Sequence, residues 1–417
     1  MEKRDLPGGK LLMCASRGSH LRQFHGPYVE WLAQHGWQVD TISQGKPGLS
    51  GTRREWELEF SKKEFSIKNI QTVFLIRNLL RREKYDVVVA HATLAGLLTK
   101  LAAVLAGGPR FRLVLVCHGY LFREGGGWKS RVYRWCEKAF SGRVDCLVTM
   151  NGEDTALAKK YQLCRKVVQV PGMGLCPFPL PLKNEVLQAK KALRIENCGP
   201  VFLCVGEFSR RKNQAMLLNA FQRVHRECPG AKLLFAGEGA LLEECRRQAV
   251  PLGDFVQFLG QRRDIPVLLA CCDWLVTASR SEGLPFSVME ALYLGKPVLA
   301  SAIKGHRELV QDGKNGRLFP LESPSALESQ WVQLAKKSHW QEKGALPEKY
   351  MIWKVFPQVM ACYLADTPWE KGGQWDEAIH MDFTNTAAGS AGGLYDGEGP
   401  GGNGAGVSRG AGDDCPR

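Results

Sequence analysis

The feature that most constrains this chain is an alternation of strand-like and helix-like runs, which stops at one Gly- and Pro-rich stretch and then begins again. KLLMCAS, a helix expected over about residues 25–35, and WQVDTIS form one β-α-β unit. A helix expected over about residues 67–83 leads to the strand YDVVVAHA, and TLAGLLTKLAAVLA leads to RLVLVCHG. A helix over about residues 129–140 leads to DCLVTMN, and another precedes KVVQVPG. Alternation of this kind predicts a parallel, doubly wound sheet with ligands at the carboxyl ends of its strands. PGMGLCPFPLPLKN reads as an interdomain hinge. The alternation restarts with VFLCVGE, KLLFAGEG, FVQFLG and CDWLVTAS, with helices between them. The expected fold class is therefore α/β, with two Rossmann-like domains facing each other across a cleft. Their expected bounds are residues 1–175 and 176–366, with a helix at about 349–366 available to pack back on the first domain. Residues 367–417 are expected to be a disordered tail, because the stretch beyond residue 385 is about one-third glycine and nearly free of apolar residues.

At 417 residues the chain is long enough for two ordinary cores. Hydrophobic residues at 44% and charged residues at 24% fit a globular protein. The net charge of +14 points to an anionic partner: nucleic acid, a phosphorylated metabolite or an acidic membrane face. Nucleic acid is disfavoured, since no recognition motif or aromatic interleaving accompanies the charge. None of the 14 cysteines is spaced C-x-x-C, and Cys117, Cys146 and Cys204 lie in apolar strand-like runs. They read as buried thiols in a reducing cytoplasm. The start MEKRDLPGGK has no apolar core for a signal peptide, and Lys100 breaks the longest apolar stretch. The expected location is cytoplasmic, free or on a membrane surface. Residues 62–84 carry seven Lys or Arg and two Glu, with Ile70, Val73, Phe74 and Leu80 at helical spacing. They read as a helix with its apolar side in the core, or as a contact with the anionic inner membrane face.

Residues 279–301, SRSEGLPFSVMEALYLGKPVLAS, hold the densest chemistry. Pro285 suits the first turn of a helix, and Gly295 with Lys-Pro ends it. Glu282 then lies in the preceding loop and Glu290 about one turn inside the helix. The free N–H groups of Phe286, Ser287 and Val288 would favour an anion between the two carboxylates. That arrangement suits a ligand with a phosphate centre and hydroxyls on both sides. The plainer reading is a solvated Glu282 and a Glu290 that caps a surface helix.

SEGLPFSVMEAL resembles the E-x7-E signature of family 4 glycosyltransferases. VGEFSRRKNQ, FAGEG, FLGQRRDIPVLLACCDWLV, HRELVQDGKNGRLF, CHGYLF and VTMNGEDTALA match the same family in order along the chain. The stretches ASRGSHLRQFHGPYVEWLAQHGWQVD and EKYDVVVAHATLAGLL are similar to its bacterial capsule and exopolysaccharide subgroup. The resemblance covers most of residues 10–365 and implies the GT-B fold. It implies that Glu282 accepts hydrogen bonds from donor-sugar hydroxyls, Glu290 binds the ribose diol, and Lys212 faces the donor diphosphate. It also implies that His118 lies near the sugar hydroxyls and the anomeric centre. Glu207 stands where most of the family has an arginine, which leaves Arg210 or Arg211 as its replacement or as plain solvated charge. Gly18, Ser19 and His20 look like the loop facing donor and acceptor, too poor in glycine for a dinucleotide fingerprint. Gly237, Gly239 and Arg262 line the nucleoside pocket on this reading, or serve turns only.

The resemblance implies a retaining, metal-independent hexosyltransferase. It would move a hexose or N-acetylhexosamine from a nucleotide sugar, expected to be UDP-linked, to a hydroxyl of a lipid-linked saccharide. No metal and no cofactor are expected, in keeping with the lack of an Asp-x-Asp motif in the chain. A nucleotide-sugar epimerase of the same fold and a non-catalytic scaffold are the alternatives.

Overall fold

The computed structural model describes residues 8–61, 66–91, 93–107, 111–337 and 345–365. The tail expected over 367–417 and the start of the basic segment, 62–65, lie outside the described residues. The first sheet holds β1 (Lys10–Ala15), β2 (Gln38–Ser43), β3 (Thr52–Glu57), β4 (Val87–His91), β5 (Arg112–Cys117), β6 (Cys146–Thr149) and β7 (Val167–Gln169). Its order is β3-β2-β1-β4-β5-β6-β7. The second holds β8 (Val201–Val205), β9 (Lys232–Ala236), β10 (Val256–Phe258), β11 (Trp274–Thr277), β12 (Val298–Ser301) and β13 (Gly316–Phe319), in the order β10-β9-β8-β11-β12-β13. Every strand pairing is parallel.

The helices α1 (Gly18–Gln34), α2 (Ile67–Glu83), α3 (Thr93–Ala106), α4 (Trp128–Lys138) and α5 (Gly152–Lys160) alternate with the strands of the first sheet. Those of the second half are α6 (Lys183–Ala192), α7 (Gln214–Glu227), α8 (Leu242–Ala249), α9 (Ile265–Cys271), α10 (Phe286–Tyr293), α11 (Lys304–Leu309), α12 (Pro324–Lys336) and α13 (Ile352–Leu364). Because helices cover both faces, central strands are apolar at consecutive positions rather than alternate ones. All of β4 and β5 is buried.

The strand order reverses between β1 and β4 in one sheet and between β8 and β11 in the other. A crevice opens at such switch points, beyond the carboxyl ends of the strands. The loops after β1, β5, β8 and β11 carry the candidate residues. The chain passes between the two halves near Leu175 and returns near Met351, where Leu175 N–H donates to Tyr350 O and Ile352 N–H to Leu175 O. Helix α13 then lies on the first sheet, with Phe356 stacked on Tyr28 at 4.8 Å and Arg112 Nε donating to Cys362 O.

Three elements differ from the sequence reading. Helix α1 begins at Gly18 rather than near residue 25, so Gly18, Ser19 and His20 form its first turn and not a loop. No side chain caps this start. It is fixed by tertiary contact: Gly18 N–H donates to Gln44 O, and a Cβ at position 18 would lie 2.1 Å from Gly45 O. The charged run TRREWE is an edge strand, β3, held through Arg53 to the buried Asp40 and to Glu83. In α2 the buried side is Thr72, Val73, Ile76, Leu79, Leu80 and Glu83, whereas Ile70 and Phe74, expected in the core, are half or more exposed.

Candidate functional site

On the first-domain side, four histidines come together. His20 is on the first turn of α1 and His25 on the next, His91 ends β4, and His118 follows β5. His20 Nε2 is 3.1 Å from His118 Nε2, which is 3.4 Å from His91 Nδ1. The rings of His25 and His91 are 3.9 Å apart. Burial lowers the pKa of His20 to about 4. Burial first, then the neighbouring imidazoles, holds His25, His91 and His118 well below the usual histidine value. All four are neutral at pH 7, so they offer hydrogen bonds and lone pairs rather than charge.

Facing them, the second domain presents a compact charged group. Glu282 takes Arg211 at 2.6 Å on Oε2 and Lys212 at 3.0 Å on Oε1. Burial alone would raise the Glu282 pKa, but the two cations outweigh it and bring it to about 2. Lys212 sits on Oε1 and Arg211 on Oε2, and each carboxylate oxygen keeps a further lone pair for a hydroxyl donor. The loop after β8 is folded tightly enough to aim Lys212. Gly206 adopts φ +148°, and a Cβ there would lie 2.9 Å from Lys212 Cε. Arg211 also donates to Ser281 O, and Asn213 accepts from Arg280, tying this loop to the one after β11.

The start of α10 departs from expectation in detail. Pro285 is the N-cap residue in extended conformation, one place before the first turn. The N–H of Val288 is taken by Pro285 O at 3.2 Å, so Val288 is not a free anion donor. Phe286 and Ser287 are half-buried at the helix start, and Glu290 is buried within the helix. Phe286 meets Phe24 of α1 with ring centroids 4.9 Å apart. Backbone also meets backbone across the cleft: a Cβ on Gly283 would lie 2.0 Å from His118 O.

The structure thus brings His20, His118, Lys212, Arg211, Glu282 and the start of α10 to one cleft. Arg210 stands exposed. Of the two arginines considered to replace the one lost at Glu207, Arg211 is the one that reaches Glu282; Glu207 itself pairs with Arg17 of the first domain at 3.6 Å. Arg262 is engaged by Asp264 at 2.6 Å. Gly237 and Gly239 close the turn after β9, where a Cβ on Gly239 would lie 2.4 Å from Phe208 O, so chain packing alone requires glycine there.

Sequence reading passed over His25, His91 and His306. His91 carries the same signal as His118, a histidine at the carboxyl edge of a parallel strand. His306 sits inside HRELV, with no spacing signal, yet it is fully buried and within electrostatic reach of Glu282 and Lys212. Burial lowers its pKa to about 4 although Glu282 opposes this, and its Nδ1 donates to Ser301 O at 2.8 Å.

Residues 25–171 match the model of the glycosyl transferase 4-like domain, and residues 199–337 match that of the glycosyl transferases group 1. EpsD of Bacillus subtilis (strain 168), which carries the glycosyltransferase name, is 30% identical over 336 residues, 79% of this chain and 88% of its own length. The Escherichia coli UDP-Gal:alpha-D-GlcNAc-diphosphoundecaprenol alpha-1,3-galactosyltransferase is 30% identical over 265 residues, 61% of this chain and 67% of its own. Among solved structures, Anabaena Alr3699/HepE in complex with UDP superposes with a TM-score of 0.63 at 18% identity, over 84% of this chain and 98% of that one. At that identity the likeness speaks for the fold, and it agrees with the two parallel sheets. With both halves matched in order and the EpsD similarity spanning most of the two chains, the protein belongs to the glycosyltransferases of the GT-B fold.

Proposed function

We propose that this glycosyltransferase moves a hexose or N-acetylhexosamine from a UDP-sugar to a hydroxyl of a lipid-linked saccharide, with retention, in capsule or exopolysaccharide synthesis. The observation that carries the reading is the Lys212–Glu282–Arg211 group beside the start of α10, opposite His118. Lys212 and Arg211 supply the positive field for a diphosphate leaving group, a task that needs no metal ion. Glu282, held at a pKa of about 2, is too weak a base to take a proton from an acceptor hydroxyl. It is suited instead to accept hydrogen bonds from sugar hydroxyls, which leaves the departing phosphate oxygen to receive the acceptor's proton on the same face. Glu290 is assigned to the ribose diol and neutral His118 to the sugar near its anomeric centre. The E. coli relative, by its name, uses UDP-galactose and an acceptor on diphosphoundecaprenol, and that supports the choice of substrates. Glycosyltransferase relatives over both halves make the epimerase and scaffold readings the weaker ones.

The acceptor's lipid gives a place to the exposed faces of the first domain. Ile67, Ile70, Phe74 and Leu75 of α2 and Trp128 and Trp135 of α4 are exposed beside Lys68, Lys129, Arg131 and Arg134. Apolar and aromatic groups amid Lys and Arg suit an anionic membrane surface. No helix among the described residues is long and apolar enough to cross a membrane.

The test is transfer from a panel of UDP-sugars to a polyprenyl-diphosphate saccharide in EDTA, with the anomeric configuration of the product read by NMR. The expected outcome is an α-linked product from an α-donor, with Lys212→Ala lowering turnover by at least a hundredfold, about 3 kcal/mol. An inverted product, or activity restored only by Mg²⁺ or Mn²⁺, overturns the mechanism.

A further inference from the structure

We propose that His20, His25, His91 and His118 form a binding site for one divalent transition-metal ion of the zinc type. One ring nitrogen from each residue lies within 4.8 Å of those of the other three. A tetrahedral zinc site, with bonds of about 2.0–2.1 Å, sets its nitrogens about 3.4 Å apart. The His20–His118 and His118–His91 separations, 3.1 and 3.4 Å, already have that span. The remaining ones close by rotation of the side chains.

Hydrogen bonding gives an independent reason. A neutral imidazole has one N–H and one lone pair. His118 Nε2 faces two other ring nitrogens and has one bond to give. Both nitrogens of the fully buried His25, and Nε2 of the fully buried His91, have no hydrogen bond among the described residues. Buried nitrogens are ordinarily paired, and a cation would satisfy one of the two on His25, with His91 offering Nδ1, the nitrogen that faces His118. Four imidazoles suit zinc, cobalt, nickel or copper, whereas magnesium, calcium and manganese prefer oxygen ligands. His20 and His118 are partly exposed, so an ion can enter from the cleft side.

Such an ion would pin the first turns of α1 to the ends of β4 and β5. It is not a leaving-group cation, because Lys212 and Arg211 occupy that role from the other domain. With four protein ligands it leaves no open coordination position. It would also withdraw His118 from the donor sugar, a corollary that rests on the role proposed above for that residue.

The experiment uses the full chain, stripped with chelator, dialysed and titrated with Co²⁺. The expected result is one equivalent bound, with the visible absorption of a tetrahedral nitrogen site, displaced by Zn²⁺. A rise in melting temperature should accompany it. His91→Asn and His25→Gln, each checked for folding by thermal melt, should weaken uptake at least tenfold, and His20→Gln serves if either fails to fold. No Co²⁺ spectrum from folded wild-type protein, or undiminished uptake in the folded variants, overturns the site. In parallel, loss of transfer on Zn²⁺ loading supports the withdrawal of His118. Full transfer with the ion bound overturns that corollary while the spectrum upholds the site.

Discussion

Glu282 and Glu290 are eight residues apart in sequence but differ in surroundings, and the difference predicts different losses. Glu290→Gln should weaken UDP binding by about 1–3 kcal/mol, the worth of a hydrogen bond to a charged group. Glu282→Gln should leave UDP binding intact or tighten it, because the substitution frees Lys212 from its ion pair. It should slow transfer and blur the choice of sugar, since a carboxylate that must pair a hydroxyl rejects analogues that leave it unpaired, and the amide carries less of that penalty. Calorimetry with UDP and a donor-competition assay distinguish them; equal loss of UDP affinity overturns the assignment. Acid should act first on the buried histidines, His306 among them, and then on Glu282. His306 titrates at about 4 in the fold against 6.5 free, so its neutral form is fully favourable above pH 6.5. Stability then falls as pH drops from 6.5 towards 4, by about 1.4 kcal/mol per unit for this one group. Glu282 shifts from 4.5 to about 2, so its contribution is present above pH 4.5 and is lost only as pH falls towards 2. Melting temperatures between pH 7 and 4 should therefore decline, less steeply in His306→Asn; a flat wild-type profile contradicts this. Glu282, Lys212 and His118 were legible because each follows a recognisable strand. His306 was not, because only the folded chain brings it within reach of Glu282.

Among elements, β4, β5, β8 and β11 could be read directly, since a doubly covered parallel strand is apolar at consecutive positions. Edge strand β3 could not, because Arg53 and Arg54 are neutralised by Asp40 and Glu83 from other parts of the chain. The start of α1 was hidden for a related reason, being set by contact with Gln44 and Gly45 rather than by a capping side chain. Helix α2 could be placed in the sequence but its orientation could not: apolar residues at helical spacing occupy two faces, and packing on α3 selects one. There Arg77 and Arg81 donate to the Leu105 and Ala106 carbonyls at the end of α3, which fixes the rotation and leaves Ile70 and Phe74 outward. Helix α4 has no fully buried residue; Tyr133 packs against the core, while Trp128 and Trp135 stand outside it. Trp128→Ser with Trp135→Ser should therefore leave the melting temperature unchanged, while cutting co-sedimentation with phosphatidylglycerol vesicles several-fold. Undiminished vesicle binding would remove α4 from the membrane surface.

In the whole molecule, the two halves are joined beside the cleft by charged groups. Lys304 of α11 donates to the fully buried Asp154 of α5 and to Tyr120 O. Arg307 pairs with Glu153, and Glu308 accepts from Gly152 N–H. Lys304→Ala would leave Asp154 buried without its cation, which costs about 3–5 kcal/mol if the closed form persists. The expected outcome is a lowered melting temperature together with a cleft that opens, read as a larger radius of gyration in solution scattering. An unchanged radius and melting temperature would show that Asp154 finds another partner. The joint has a thermodynamic character of its own. Parting α5 from α11 wets ions instead of hydrocarbon, so this side of the movement should add little heat capacity, and electrolyte should ease it only as far as the exposed Arg307–Glu153 pair is screened, the Lys304–Asp154 pair being shielded by burial. Ionic strength should therefore loosen the rim of this joint before its centre.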